Sequence, residues 1–349
     1  MTRKDIIRIA AMAIGCTLLL AGCSPLSADE EPGEAIGFNS DSPLLLDDVT
    51  KTTSYFSNGA RFGVFAFLQD NVTWNNKGSL KPNLMYNRQV TVGSPSYSYS
   101  PVTYWPSNPP YTVSFWAYYP YSASPTLLKK GTYTAYNSDT ANLPDVQYTT
   151  DGRTDLMLSE VARDKTYANC SPAGVVSLNF HHILSKIDFV VEKDSDPYNN
   201  YTVTLTSVSF ENVYNTGVFR INNQNSPTNA SCSWDVRNQI RGNLPIFSGS
   251  QEVVTTPAAI SDPTTHEDVS IITIPQTLVG TEARMRIVYT LVARDGSFSL
   301  TNDYSFSFTA DWVRDRHYTY TISIRPNHPI QFTVSWSSWG TDHTIDLNS

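Results

Sequence analysis

The chain has 349 residues, 24 Lys+Arg against 32 Asp+Glu for a net charge of −8, 40% hydrophobic and 12% aromatic residues, and only 16% charged ones. Disordered chains combine low hydrophobicity with high net charge, so global disorder is excluded, and the acidity argues against nucleic acid as a partner because phosphate contacts need clustered Lys and Arg. Four cysteines exclude a disulfide scaffold, and the length suggests two domains at roughly 150 residues each.

Residues 1–22 read as a signal peptide. Arg3, Lys4 and Arg8 form a cationic start to an apolar stretch from Ile9 to Leu20. At roughly 12 residues that stretch is too short to span ~30 Å of hydrocarbon as a helix, but it suits a secretory signal. It ends in Leu20-Ala21-Gly22-Cys23, which resembles the lipobox of bacterial lipoproteins: small residues at the cut and a free thiol to take a diacylglycerol. Cys23 is the expected lipidated residue. Acyl chains contribute ~0.8 kcal/mol per buried CH₂, so several together anchor a protein durably. No second long apolar run follows, and the mature chain is expected to be anchored to a membrane without spanning it. Residues 23–35 are polar and acidic and read as a lipidated flexible tether; Asp29-Glu30-Glu31 within them loosely resembles an acidic surface-export signal. Cys16 leaves with the signal. Cys170 and Cys232 remain, either paired in an oxidising compartment or as two separate buried thiols.

Beyond residue 35 the sequence reads as β almost throughout. Tyr201, Val203 and Leu205 alternate on odd numbers and Val208 and Phe210 on even ones, so the phase change between Thr206 and Ser207 predicts a bulge or bend. Met285, Ile287, Tyr289 and Leu291 alternate again, as do Tyr304, Phe306 and Phe308. The pattern is clearest in Tyr318, Tyr320, Ile322 and Ile324, and it returns in Phe332, Val334 and Trp336. Such runs put one face in a core and the other in water, the mark of antiparallel sandwich strands. Turn signals stand at Asn58-Gly59, Pro109-Pro110, Thr216-Gly217 and Asp295-Gly296; the last predicts a tight type I′ hairpin. The nearest candidate for a helix is residues 155–163. Many short strands with frequent turns predict an all-β chain of two tandem antiparallel β-sandwich domains after the signal. The longest polar stretch near the middle, residues 192–200, places the expected break, with domains over 36–195 and 196–349.

No catalytic constellation stands out, and no cofactor or metal is expected. His181 and His182 are adjacent, and strand neighbours point to opposite faces, so the segment 176–191 is read as structural, with Leu178, Phe180, Ile187 and Phe189 buried and Lys186 outward. His266-Glu267 lacks the second histidine of a zinc-protease helix, and neither a Gly-x-Ser-x-Gly elbow nor a phosphate-binding glycine loop occurs. Carboxylate pairs for glycosidase work stay open, since they assemble from distant strands. Trp105 and Trp116, in an aromatic-rich stretch, are candidates either for sugar stacking or for a buried strand. Asp139-Thr140-Ala141 resembles a short O-glycosylation acceptor.

The order of segments is distinctive: the lipobox, Ile36-Gly37-Phe38, the run from Phe62 to Phe67, Tyr104-Trp105-Pro106, Phe115-Trp116-Ala117-Tyr118-Tyr119-Pro120 and Asp155-Leu156-Met157. After them come Val176 to Phe189, Ile274-Pro275-Gln276, Tyr320 to Ile324 and Phe332 to Val334. Together they resemble the fimbrillin family (Mfa-like), the subunits of type V pili of Gram-negative anaerobes. The resemblance implies transthyretin-like, Greek-key sandwiches and export as a lipoprotein to the outer membrane and cell surface. It further implies partnership with other fimbrillin subunits by β-strand exchange, after an Arg-directed protease removes the first strand, in support of cell adhesion. Carried onto this chain, Cys23 is the lipidated position and residues 36–38 lie in the excised strand. Lys51 and Arg61 are the only basic residues between Cys23 and Phe62, so one of them marks the cut. Lys51 is the wrong residue for an Arg-specific enzyme and Arg61 abuts an apolar strand, which leaves shaft, tip and accessory roles open. Phe332, Val334 and Trp336 share one face and make the C-terminal segment from Ile330 to Leu347 the candidate donor strand, with Ile345 and Leu347 extending the row after Gly340; the alternative is that Phe332 to Trp336 is an ordinary strand closing the second domain. The runner-up function is a surface lipoprotein that binds a glycan or a host protein through Trp105 or Trp116.

Overall fold

The computed structural model describes residues 33–41, 56–107, 110–130, 134–194, 200–236, 240–279, 282–325 and 330–339. Cys23, Lys51, Ile345 and Leu347 lie outside the described residues, as does Pro109. The described chain is β, with a 3-10 turn at Trp74–Asn76 and no α-helix among the described residues.

The first strands are β1 (Gly37–Asp41), β2 (Arg61–Asp70), β3 (Met85–Thr91) and β4 (Tyr111–Tyr119). Short strands follow: β5 (Leu128–Lys130), β6 (Thr134–Ala135), β7 (Asp145–Thr149), β8 (Met157–Ser159) and β9 (Ala162–Lys165). Residues 155–163, the helix candidate, thus hold β8 and the start of β9. Met157 and Leu158 explain this, since they point to opposite faces of one sheet and each enters a different core cluster.

Next come β10 (Val175–His182), β11 (Ser185–Lys193), β12 (Tyr201–Tyr214), β13 (Thr216–Arg220), β14 (Ser233–Asp235) and β15 (Arg241–Val253). The last are β16 (Ala258–Ala259), β17 (Ser270–Thr273), β18 (Gln276–Leu278), β19 (Arg284–Ala293), β20 (Ser299–Ser307), β21 (Ala310–Trp312), β22 (Arg316–Ile324) and β23 (Gln331–Ser338).

A central sheet runs in the order β1-β10-β8-β4-β2-β3, with β9 on β4. Both of its faces are covered. Phe62, Val64 and Ala66 of β2, Phe115 of β4 and Leu178 of β10 enter one cluster, while Phe65, Phe67, Trp116 and Leu158 enter the other. Burial on both faces explains why β2 reads as an unbroken apolar run without alternation. The second face is closed by a sheet in the order β14-β13-β7-β5-β6, through Phe219, Val146 and Leu128. A further core lies between the sheets β16-β11-β22-β23 and β15-β12-β19-β20, where Phe189 and Tyr320 of one meet Phe210 of the other at 5.7 and 5.8 Å.

Strands on either side of the expected division at 195/196 share sheets. β11 precedes it, yet it pairs in parallel with β22 over Ser185 to Lys193 and lends Ile187, Phe189 and Val191 to the later core. β13 and β14 follow it, yet β13 pairs with β7, Phe219 opposite Val146. β10 and β11 are joined by Ile183 and Leu184, both fully buried. Two parallel pairs, β1 with β10 and β11 with β22, interrupt the otherwise antiparallel ladders.

Local expectations can be checked strand by strand. Register shifts where β12 meets β15 and β19, between Leu205 and Ser207, at the phase change seen in the sequence. The hairpin at Asp295-Gly296 forms, but not with a type I′ turn. Gly296 has φ +71° and donates its N–H to the Ala293 carbonyl at 2.9 Å, while Asp295 is not left-handed. Ala293 in turn donates its N–H to the Phe298 carbonyl at 3.0 Å, so the loop has four residues, 294–297. Thr216-Gly217 is not a turn, since both residues open β13. A Cβ on Gly217 would sit 2.9 Å from the Trp234 ring, so the glycine makes room for an indole.

Candidate functional site

The first described strand is held by its side chains more than by its length. Residues 34–41 run between two segments. On one side Gly37 to Asp41 pair in parallel with Val175 to Asn179 of β10. On the other, Ile36 donates its N–H to the Thr103 carbonyl and Trp105 donates to the Glu34 carbonyl, both at 2.9 Å. The Tyr99 hydroxyl donates to the Ile36 carbonyl at 2.8 Å, and burial raises the Tyr99 pKa above its ordinary value. Ile36 and Phe38 point inward and are almost fully buried. The Phe38 ring meets Tyr99 at 5.4 Å and Phe115 at 5.7 Å, both edge-on. Each such side chain contributes about 1.5–3 kcal/mol. Withdrawing this segment would expose a lined apolar trough and the open N–H and C=O groups of β10, the hallmark of an edge that recruits another strand.

At the other end of the chain, β23 pairs with β22, placing Phe332 opposite Ile322, Val334 opposite Tyr320 and Trp336 opposite Tyr318. The three residues are half-buried and lie against the later core. Phe332 stacks on Phe306 of β20 at 5.3 Å, and the Arg316 guanidinium sits 3.7 Å from the centre of the Trp336 ring. The candidate donor residues are thus engaged within their own chain.

Trp105 and Trp116 are buried. Trp105 donates its indole N–H to the Gly174 carbonyl at 3.0 Å, and Trp116 packs beside Phe65 at 5.5 Å. Neither presents a ring face to solvent. Arg61 opens β2 and is exposed; its carbonyl accepts the Tyr121 N–H. Cys170 and Cys232 are free buried thiols in different clusters, and burial raises the pKa of each. In the segment 176–191, Leu178, Phe180, Ile187 and Phe189 are buried and Lys186 reaches outward to Asp188 at 3.7 Å.

The two histidines part as strand geometry requires. His181 Nε2 lies 3.1 Å from Glu160 Oε1, and His182 Nδ1 lies 2.7 Å from Asp155 Oδ2. The His182 ring stacks flat on Trp339, with centroids 4.2 Å apart and planes at 3°. Trp339 donates its backbone N–H to the Asp315 carbonyl at 3.0 Å. Burial pushes the Asp315 carboxyl up from its usual range, against the pull of His182 and His181. Sequence reasoning missed this junction. Its members are up to 184 positions apart, and a solitary Trp after a strand carries no periodic signal.

A family model described as fimbrillin-like matches residues 49–339. Fimbrium subunit Fim1C of Phocaeicola vulgatus is 26% identical over 229 residues, 61% of this chain and 60% of that protein's length. The chain therefore spans less than two thirds of that curated relative. Among solved structures, a fimbrial protein from Bacteroides vulgatus superposes with a TM-score of 0.65 at 21% identity, over 88% of this chain and 100% of the other.

Proposed function

The chain belongs to the fimbrillin-like family, and from that premise we propose that it is a structural subunit of a cell-surface pilus, joined to related subunits by β-strand exchange. The observation that carries this reading is the first strand. Among the described residues β1 ends its sheet and pairs in parallel with β10, and the segment sinks Ile36 and Phe38 into an aromatic-lined trough. A strand from a neighbouring subunit, offering apolar side chains at alternate positions, would fill the same trough, with main-chain hydrogen bonds giving affinity and pockets giving register. Cys23 would carry lipid and tether the precursor to the outer membrane surface. Cleavage at Arg61 or Lys51 would release the first strand. The C-terminal segment that includes Phe332, Val334 and Trp336 is the proposed donor, which requires the pairing of β23 with β22 to open or the residues beyond 339 to act in its place.

N-terminal sequencing of material sheared from the cell surface tests the scheme directly. A start within residues 42–62 supports release of β1; a lipidated start at Cys23 in assembled fibres refutes it. Removing residues 340–349 separates the two donor arrangements. Loss of polymers from a folded monomer assigns donation to the distal tail, and unimpaired assembly assigns it to β23 itself.

A further inference from the structure

A polar cavity of about 600 Å³ opens beside β3, between Tyr86 and Tyr121 on one side and the stretch from Ser98 to Ser100 on the other. The volume falls within the ~300–1,000 Å³ of small-molecule sites. Its one cation is Arg88. No carboxylate lines the cavity, and Arg88 makes no ion pair among the described residues. In a chain with net charge −8, an arginine left without an acidic neighbour is a vacancy for an anion.

The backbone presents that guanidinium deliberately. Asn87 has φ +48° and marks a register shift between β2 and β3, the local kink by which a bulge re-aims a side chain. The kink is pinned from below. Asn87 Oδ1 accepts the Tyr118 hydroxyl at 2.8 Å, and Asn87 Nδ2 donates to the Ser122 carbonyl at 2.9 Å. Burial raises the pKa of that tyrosine to about 12, so it stays a neutral donor. Arg88 Nη1 is anchored on the Ser100 carbonyl at 3.0 Å, and Arg88 Nε is buried with no hydrogen-bond partner. The guanidinium is therefore oriented, and because Nε is sealed from solvent a carboxylate would meet its terminal Nη1–Nη2 edge. A planar fork held in this way suits bidentate carboxylate recognition.

The rest of the lining is hydroxyl, amide and aromatic, including Gln89 as well as the tyrosines and serines already named. A bare carboxylate needs none of these. A sugar ring needs them all: hydroxyls to exchange hydrogen bonds with amide and hydroxyl side chains, and a C–H face to lie against a tyrosine ring. We propose that this cavity binds an acidic saccharide, with Arg88 holding the sugar carboxylate and Gln89 and Tyr121 its hydroxyl-bearing body. The cavity shares Tyr99 with the trough under β1, and neither Trp105 nor Trp116 lines it.

The test uses the purified full-length chain, with sialyllactose, lactose and acetate as probes, read by saturation-transfer NMR and calorimetry. Sialyllactose should bind and lactose, which lacks the carboxylate sugar, should bind at least tenfold more weakly. Arg88→Gln should lose tenfold or more in affinity, and Tyr121→Ala several-fold. Equal binding of lactose, unchanged affinity in Arg88→Gln, or no binding of sialyllactose at all would overturn the proposal. Acetate displacing sialyllactose at equal concentration would overturn the saccharide class. If Arg88→Gln fails to fold, Tyr121→Ala and Gln89→Ala decide, and wild-type affinity in both refutes the site.

Discussion

Replacing Phe38 by alanine measures how firmly the first strand is locked. Phe38 is 6% exposed and its ring contacts Tyr99 and Phe115 edge-on. Buried Phe→Ala changes cost about 3–5 kcal/mol, the transfer of the lost atoms plus a term for the cavity left behind. β1 lies at a sheet edge, where neighbours can relax toward the void, so the lower end, about 3 kcal/mol, is expected. Edge-on pairs contribute ~0.5–1.5 kcal/mol beyond their area, and losing two of them keeps the cost from falling below that end. Urea unfolding of the full chain followed by tryptophan fluorescence reads the change, with Trp105 as a local reporter because it lies 5.9 Å from Phe115. Leu300→Ala is the matched control: half exposed on β20, it should cost under about 0.5 kcal/mol. A loss below about 1 kcal/mol for Phe38→Ala would mean that side-chain burial does not hold β1, and the argument for a trough that demands refilling would fail.

Further outcomes follow from the same geometry. Trp339→Ala removes the ring stacked on His182 and should cost about 1–2 kcal/mol, in the range of typical destabilising substitutions, as a lower urea midpoint; an unchanged midpoint would show that the stack holds nothing. Asp315 has its carboxyl pKa raised by burial, so the native state holds that proton more tightly than the unfolded chain. The stability linked to it is fully present below the unfolded carboxyl pKa and is lost as pH rises through the folded one. Asp315→Asn should therefore be the more stable form at neutral pH, and its advantage should vanish in acid; the left-handed backbone at Asp315, φ +59°, suits asparagine equally. A constant difference across pH would refute the titration. Labelled palmitate should enter the wild type in cells and not Cys23→Ala, and equal labelling of both would remove the lipid anchor.

What the sequence made legible was decided by single strands. Alternation in Tyr318, Tyr320, Ile322 and Ile324 foretold a half-buried strand because one face of β22 meets a core and the other does not. The broken phase at Thr206 foretold the register shift in β12 for the same reason. Sheet membership was not legible. Nothing local in Thr216 to Arg220 says that this strand pairs back to β7, since pairing partners are chosen by burial of whole faces and not by spacing. The candidate sites divide along the same line. Trp105 and Trp116 carry equal signals for a core and for a sugar platform, and only their neighbours settle which. Arg88 was invisible because an arginine in a strand is ordinary until the absence of a carboxylate around it is known.

The link between the two cores has a mechanical consequence. Ile183 and Leu184, which join β10 to β11, are fully buried among Phe65, Trp116 and Trp234-side residues such as Phe219. In the proposed fibre a subunit would carry tension along its chain, and a solvated linker would lengthen first, like slack in a rope. This connection has no slack. To stretch here the chain must first draw two aliphatic side chains into water, at about 1.5–3 kcal/mol each, while Trp339 clasps His182 across the same boundary. In the proposed fibre, load passing from the early core to the later one would meet that cost at this connection.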